Sequence, residues 1–337
     1  MKLTRIFVPL VASMVLYSCA SNNLSYEGKA FKNAYASIKA EELKKNLSVI
    51  ASDEMQGRDT GSEGQKKAGK YMIDFYKNIG VSYPKVLGSY YQTVPKEALK
   101  SRGKELPESE NILAFIEGTE KLDEIIVISA HYDHVGTKDG VVYNGADDDG
   151  SGTVAVMEIA EAFQQAKKAG KGPKRSILFL HVTGEEHGLL GSKYYADHPV
   201  YDMKNTVVDL NIDMIGRSDK ENEGKNYVYV IGSEMLSSEL KVINEAANKI
   251  THNLELNYKY DDPKDPMRLY YRSDHYNFAK SGVPVAFYFD GIHADYHQPT
   301  DDVDKIDFPL LQKRAQLVFA TAWELANRKD RIVVDKK

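Results

Sequence analysis

The chain of 337 residues is long enough for one large α/β domain or two smaller ones, and its 42% hydrophobic content is ordinary for a globular protein, which excludes disorder of the whole chain. The formal net charge is −5, or −7 without the two cations Lys2 and Arg5 of an N-terminal leader, and no basic cluster marks a nucleic-acid surface, so no DNA or RNA partner is expected. Cys19 is the only cysteine, which excludes a disulfide within the chain and a thiol nucleophile.

Met1 to Arg5 precede an apolar run from Ile6 to Leu16, too short to span a bilayer and suited to the hydrophobic region of a secretory signal. It ends in Leu16-Tyr17-Ser18-Cys19, which resembles a bacterial lipobox. Residues 1–18 are therefore expected to be a lipoprotein signal peptide, Cys19 the lipidated N-terminus and residues 19–34 a polar tether. The expected address is the cell envelope, at the periplasmic face of the outer membrane.

Apolar residues at helical spacing predict a helix from Tyr35 to Ala51, with Leu43, Leu47 and Ile50 on one face. A Gly-punctuated loop follows, in which Gly57-Arg58 reads as a turn beside a surface charge, and then an amphipathic helix around Ala68–Tyr76. Tyr91–Val94, Asn111–Ile116 and Glu124–Ile128 are strand-like, and the last has aliphatic residues on both faces, as a strand buried within a sheet should. That strand runs into His131. After an acidic loop, Val156, Ile159, Ala160 and Phe163 mark a helix with Gly170 at its end.

The pattern repeats. Ser176–Val182 runs into Gly184-Glu185-Glu186, Val207–Ile212 into Asp213, and Val283–Phe289 into the loop holding His297. Residues 218–226 and 259–268 read as surface loops bordering a cleft, and a helix from Phe308 to Asn327 closes the domain. The expected architecture is α/β, a three-layer αβα sandwich around a mixed, mostly parallel sheet. One domain would cover residues 35–329, with residues 330–337 as a polar tail.

In open α/β sheets, ligands bind beyond the carboxyl ends of the strands, and here four strand ends each deliver a metal-type side chain. His131, Asp148, Glu186, Asp213 and His297 combine imidazole and carboxylate, a donor set that suits cations of the zinc class rather than calcium or magnesium. Five side chains exceed the needs of one catalytic zinc but would serve two zinc ions sharing a carboxylate. Glu185, beside Glu186, is placed to act as general base on a water. Asp133 and Asp301 could orient the imidazoles of His131 and His297. His134, His181, His187, His275 and His293 have no place in this pattern and are expected in structural or surface roles. Ser273-Asp274-His275 is too close in sequence to form a catalytic triad easily.

His131-Tyr132-Asp133, Gly145-Ala146-Asp147-Asp148-Asp149-Gly150-Ser151-Gly152, Gly184-Glu185-Glu186-His187-Gly188-Leu189-Leu190-Gly191-Ser192, Asp213-Met214-Ile215-Gly216-Arg217 and His297-Gln298-Pro299-Thr300-Asp301 resemble, in order and spacing, the motifs of the co-catalytic di-zinc aminopeptidases. That family is related to glutamate carboxypeptidase, glutaminyl cyclase and transferrin receptor. The resemblance implies two zinc ions bridged by Asp148, with Glu186 and His297 completing one site and His131 and Asp213 the other. Choosing Asp148 over Asp147 rests on aligning Ser151-Gly152. Some members place a tyrosine that polarises the scissile carbonyl where Tyr296 stands. The implied activity is removal of N-terminal residues from peptides with a free N-terminus. Cyclisation of N-terminal glutamine, or a non-catalytic binding role on the same fold, are the alternatives.

Overall fold

The computed structural model of the chain describes Tyr26 and residues 28–101, 103–262 and 264–336. The leader and Cys19 lie outside the described residues. Where one helix from Tyr35 was predicted there are two, α1 (Lys29–Ser37) and α2 (Ala40–Ile50). The break has a physical cause: Ile38 leaves the helical path to bury its side chain fully, and its carbonyl accepts from the Gln312 and Gln316 amides. The expected tether is also shorter than residue 34, because α1 already buries Phe31 and Ala34. The next helix, α3 (Glu63–Ile79), starts where the Ser62 hydroxyl accepts the Gln65 amide and ends at Gly80 in the left-handed conformation.

The chain then runs through β1 (Tyr91–Val94), the small hairpin β2 (Lys100–Ser101) and β3 (Lys104–Glu105), β4 (Ser109–Ile116), β5 (Lys121–His131) and a second hairpin, β6 (Thr137–Lys138) and β7 (Val141–Val142). The predicted strand–helix alternation follows as α4 (Gly152–Lys168), β8 (Arg175–Val182), α5 (Leu190–Asp197) and β9 (Thr206–Ile212). β10 (Tyr227–Ile231), α6 (Leu240–Ile250) and β11 (Glu255–Asn257) add to the predicted elements, and α7 (His275–Lys280), β12 (Val285–Phe289) and α8 (Phe308–Asn327) complete the domain.

Eight strands form one mixed sheet in the order β1-β4-β8-β5-β9-β12-β10-β11. Its centre, β8-β5-β9-β12, is parallel, while β4 and β10 join it antiparallel. Alternate side chains face opposite layers. Ile126, Ile128, Phe179 and Leu210 meet α1 to α4, α6 and α8 in the larger core, whereas Val127, Leu178, Leu180 and Val285 meet α5 and α7. The expected three-layer α/β architecture is thus present, with one layer much thicker than the other. The expected polar tail instead packs back: Ile332 is buried and the Asp335 carboxylate accepts from the Ser238 amide and hydroxyl. Among the described residues no helix is long and apolar enough to cross a membrane.

Candidate metal centre

Because β5, β8, β9 and β12 run parallel, their carboxyl ends share one edge, and register fixes what meets there. His131 pairs with Val182, two residues short of Gly184, and Ile212, just before Asp213, pairs with Tyr288. The acidic loop reaches the same edge through a left-handed turn at Gly145, where a Cβ would collide with the Asp148 carbonyl and the His134 ring.

All five predicted metal-type residues converge. His131 Nε2 lies 3.3 Å from Asp148 Oδ1 and 3.6 Å from Asp213 Oδ1. His297 Nε2 lies 3.1 Å from Asp148 Oδ2 and 2.9 Å from Glu186 Oε2. Asp148 therefore faces one group with each of its oxygens, the disposition a shared carboxylate needs, and Asp147 does not.

The fit of this site to metal can be judged from its own polar atoms. His131 Nε2, Asp148 Oδ2 and Glu186 Oε1 are buried and face other imidazole and carboxylate atoms without an aligned hydrogen bond, a costly state for ordinary structural residues. Burial raises the Asp148 carboxyl, but His131 and His297 overcome it and hold it well below the usual carboxylate range. Burial likewise lowers His297, and Asp148 and Glu186 reverse this and hold it up to about 10. The site thus draws positive charge to itself. Two triads, His131-Asp149-Asp213 and His134-Asp148-Glu186, each bring their ligand atoms within 4.8 Å of one another. Two clusters of imidazole and carboxylate fit a pair of zinc-class cations.

His134, expected in a structural or surface role, lies at the centre of the site. It is fully buried, with Nδ1 2.8 Å from Glu186 Oε1 and 3.7 Å from Asp148 Oδ2. Its place three residues after His131, on the same loop, was the available signal. Asp149 also lies at the centre, and its Oδ1 accepts the Gly152 and Met214 amides and so ties the acidic loop to the end of β9. The other histidines stand apart from the ligand atoms: His181 meets the Tyr76 hydroxyl, His187 pairs with Asp59, His275 stacks on Phe287, and His293 meets Asp147 behind the site.

The two expected supporting residues differ in what they hold. His131 Nδ1 lies 3.0 Å from the backbone carbonyl of Asp133 and 3.8 Å from its carboxylate, which also accepts from the Thr60 hydroxyl and the Glu185 amide. Asp133 thereby holds the Glu185 loop as well as His131. The Asp301 carboxylate accepts the amides of Asp147 and Asp148, so it fixes the shared-carboxylate loop rather than His297. Ser273, no part of a triad, accepts from Asn211 and donates to Asp213 Oδ2 at 2.6 Å, while Asp274 accepts from Ser192.

Arg58 is the largest departure. The predicted surface charge is a fully buried guanidinium donating to the carbonyls of Ile50, Tyr132, Asn144 and Gly145. Burial lowers it to about 10, partly offset by Asp148 and Asp301. It fastens the His131 loop to the Asp148 loop. Arg314 on α8 does the same beyond Asp213, donating to the carbonyls of Ile215, Arg217 and Tyr227.

Beside the cluster lies a cavity of about 40 Å³, lined by Asp148, Glu185 and Asp213, by Arg272, and by apolar residues including Met214, Leu269, Phe287 and Ile292. Tyr296 closes one side, its ring stacked on His297 at 3.9 Å, and burial raises its phenol so that it stays protonated.

The profile of peptidase family M28 matches residues 111–322, which hold every motif of the centre. A probable leucine aminopeptidase of Arthroderma otae is 30% identical over 222 residues, 64% of this chain and 57% of that protein. The chain spans little more than half the length of that relative. Among solved structures, the LapA aminopeptidase of Legionella pneumophila superposes with a TM-score of 0.70 at 20% identity, covering 91% of this chain and 77% of its own. Glutaminyl cyclase of Porphyromonas gingivalis gives 0.63 at 18%, covering 84% and 97%, so the fold is shared across two chemistries. With the matched profile covering well over half of the sequence, the chain belongs to peptidase family M28.

Proposed function

We propose that the chain is a zinc-dependent aminopeptidase that hydrolyses the N-terminal bond of peptides with a free N-terminus. The observation that carries this reading is the position of Glu185, on the lining of a small cavity and next to Asp148, which His131 faces on one side and His297 on the other. Bound in those clusters, through His131, Asp148 and Asp213 on one side and Glu186 and His297 on the other, two zinc ions would acidify water and polarise a carbonyl.

The protein's own groups supply the rest. Burial, reinforced by Asp213 and Glu186, raises the Glu185 carboxyl and makes it a better proton acceptor than a solvated glutamate. Glu185 takes a proton from water as the oxygen bonds to the carbonyl carbon, then delivers it to the amide nitrogen as the C–N bond breaks. Tyr296, kept protonated, can donate to the carbonyl oxygen as negative charge develops there. The apolar walls receive the N-terminal side chain and exclude water around the bond.

The test is mass spectrometry of a peptide mixture with zinc-loaded protein, each peptide present with a free and an acetylated N-terminus and some beginning with Gln. Single residues should leave free N-termini only, and Glu185→Gln should lose ~10²–10⁴-fold in turnover while retaining its zinc. Ammonia loss confined to Gln peptides would replace this reading with cyclisation.

We further infer export and lipidation at Cys19, from the leader's charged start, apolar run and Leu16-Tyr17-Ser18-Cys19 ending. Labelling with a fatty-acid analogue that persists in Cys19→Ser would overturn it.

A further inference from the structure

The ligand cluster divides two cavities of very different size. The one described above shares Asp148, Glu185 and Asp213 and holds about 40 Å³. The other shares Glu186 and His297 and holds about 600 Å³. On the aminopeptidase reading, on which this inference rests, the small cavity takes the residue with the free amine and the large one the peptide that departs.

The walls of the large cavity are built by the two small hairpins, β2–β3 and β6–β7, which place Lys104 and Lys138 on its lining. Neither lysine has a carboxylate partner among the described residues. Lys138 instead lies 4.7 Å over the Tyr143 ring. Of the nearby acids, Asp59, on the same wall, is 2.9 Å from His187 and Glu105 is 3.1 Å from Lys100, while Asp139, next to Lys138, is exposed. Leu106 and Val135 supply apolar surface between the two lysines' hairpins. The departing side is thus a wide basin with two ammonium groups that form no ion pair among the described residues, next to ligands whose own negative charge a bound metal would neutralise.

We propose that Lys104 and Lys138 recognise a carboxylate on the departing peptide. The substrates favoured by this chain are then short peptides that carry such a group soon after the scissile bond, either as a free C-terminus or as an acidic side chain. The two hairpins set which peptides are accepted, and the small cavity sets which first residue is removed.

The test compares kcat/KM of zinc-loaded protein and of the K104Q/K138Q variant on Leu-Ala-Ala against its C-terminal amide, and on Leu-Glu-Ala-amide against Leu-Gln-Ala-amide. Exposed charge pairs are individually weak, so the unmodified protein is expected to favour the carboxylate member of at least one pair by roughly 3- to 10-fold, mainly through KM. In the variant that ratio should fall towards one, and in the unmodified protein it should shrink as salt rises from about 0.05 to 0.5 M. The first peptide pair reports a free C-terminus and the second an acidic side chain. Equal rates within both pairs, or a preference that survives in the variant, would overturn the proposal and leave the aminopeptidase reading standing. No release of leucine from any peptide would overturn both.

Discussion

At the His131 end of the cluster, position is set by sheet register, whereas at the His297 end it is set by loops. His131 terminates β5 and Asp213 follows β9 directly, and their side chains are 1% and 11% exposed. Arg58 and Arg314 clamp the backbone that follows them. Glu186 and His297 lie on loops beyond β8 and β12, His297 is 36% exposed, and its backbone is left-handed at φ 55°. Two metal positions that share one carboxylate are therefore expected to differ in rigidity. A strand end inherits the stability of the core, while a loop depends on a few hydrogen bonds.

The largest effect should come from Asp148→Asn, which removes the charge common to both ends. Zinc content should fall to nearly none per chain, and peptide hydrolysis should fall by ~10³-fold or more, beyond the 10–100-fold cost usual for outer-shell changes. His297→Ala should keep about one zinc per chain, and a chelator should strip the unmodified protein in two steps. Simultaneous loss of both ions, measured by mass spectrometry of the metal content, would break the contrast between the ends.

Arg58→Met sharpens the same contrast. It leaves four carbonyls without their donor and the surrounding acids without a buried cation, so denaturant unfolding should show a loss of about 3–5 kcal/mol, comparable to breaking a buried ion pair. Asp301→Asn should be milder, since the amide oxygen still accepts from Asp147 and Asp148. It should weaken zinc binding by ~10-fold, at the low end for an outer-shell change, with little shift in stability measured without metal.

The smallest effect concerns a buried acid outside the metal centre. Burial raises Glu158 to about 8, and its partner there is the Asn46 amide. A carboxyl raised in the folded state adds nothing to instability while protonated in both states, and costs stability as pH rises from its ordinary value through 8. Glu158→Gln should therefore change the melting temperature little near pH 4 and raise it by several degrees above pH 8. An equal gain at both pH values would show that ionisation is not the cause.

Much of this was legible without coordinates, because the signals are local. Aliphatic runs ending in His131, Glu186, Asp213 and before His297 fix strand ends, and α8 falls at its predicted bounds because Asp307 caps it and its apolar stripe is unbroken. Elsewhere local pattern misled. The helical spacing before Ala51 continued across Ile38, yet burial of that side chain broke the helix.

The sequence by itself determined the α/β layering, the edge of the sheet that carries the site and the five side chains that converge there. Periodicity and strand-end placement need only neighbours in the chain. Tertiary structure alone decided that Arg58 is buried, that His134 joins Glu186, that Asp301 holds the Asp148 loop and that Ser273 orients Asp213. The partners of Arg58 include carbonyls 74 and 86 residues away, and those of Arg314 one 99 residues away. A buried charge can be satisfied by any carbonyl the fold brings near, and residue type alone does not say which.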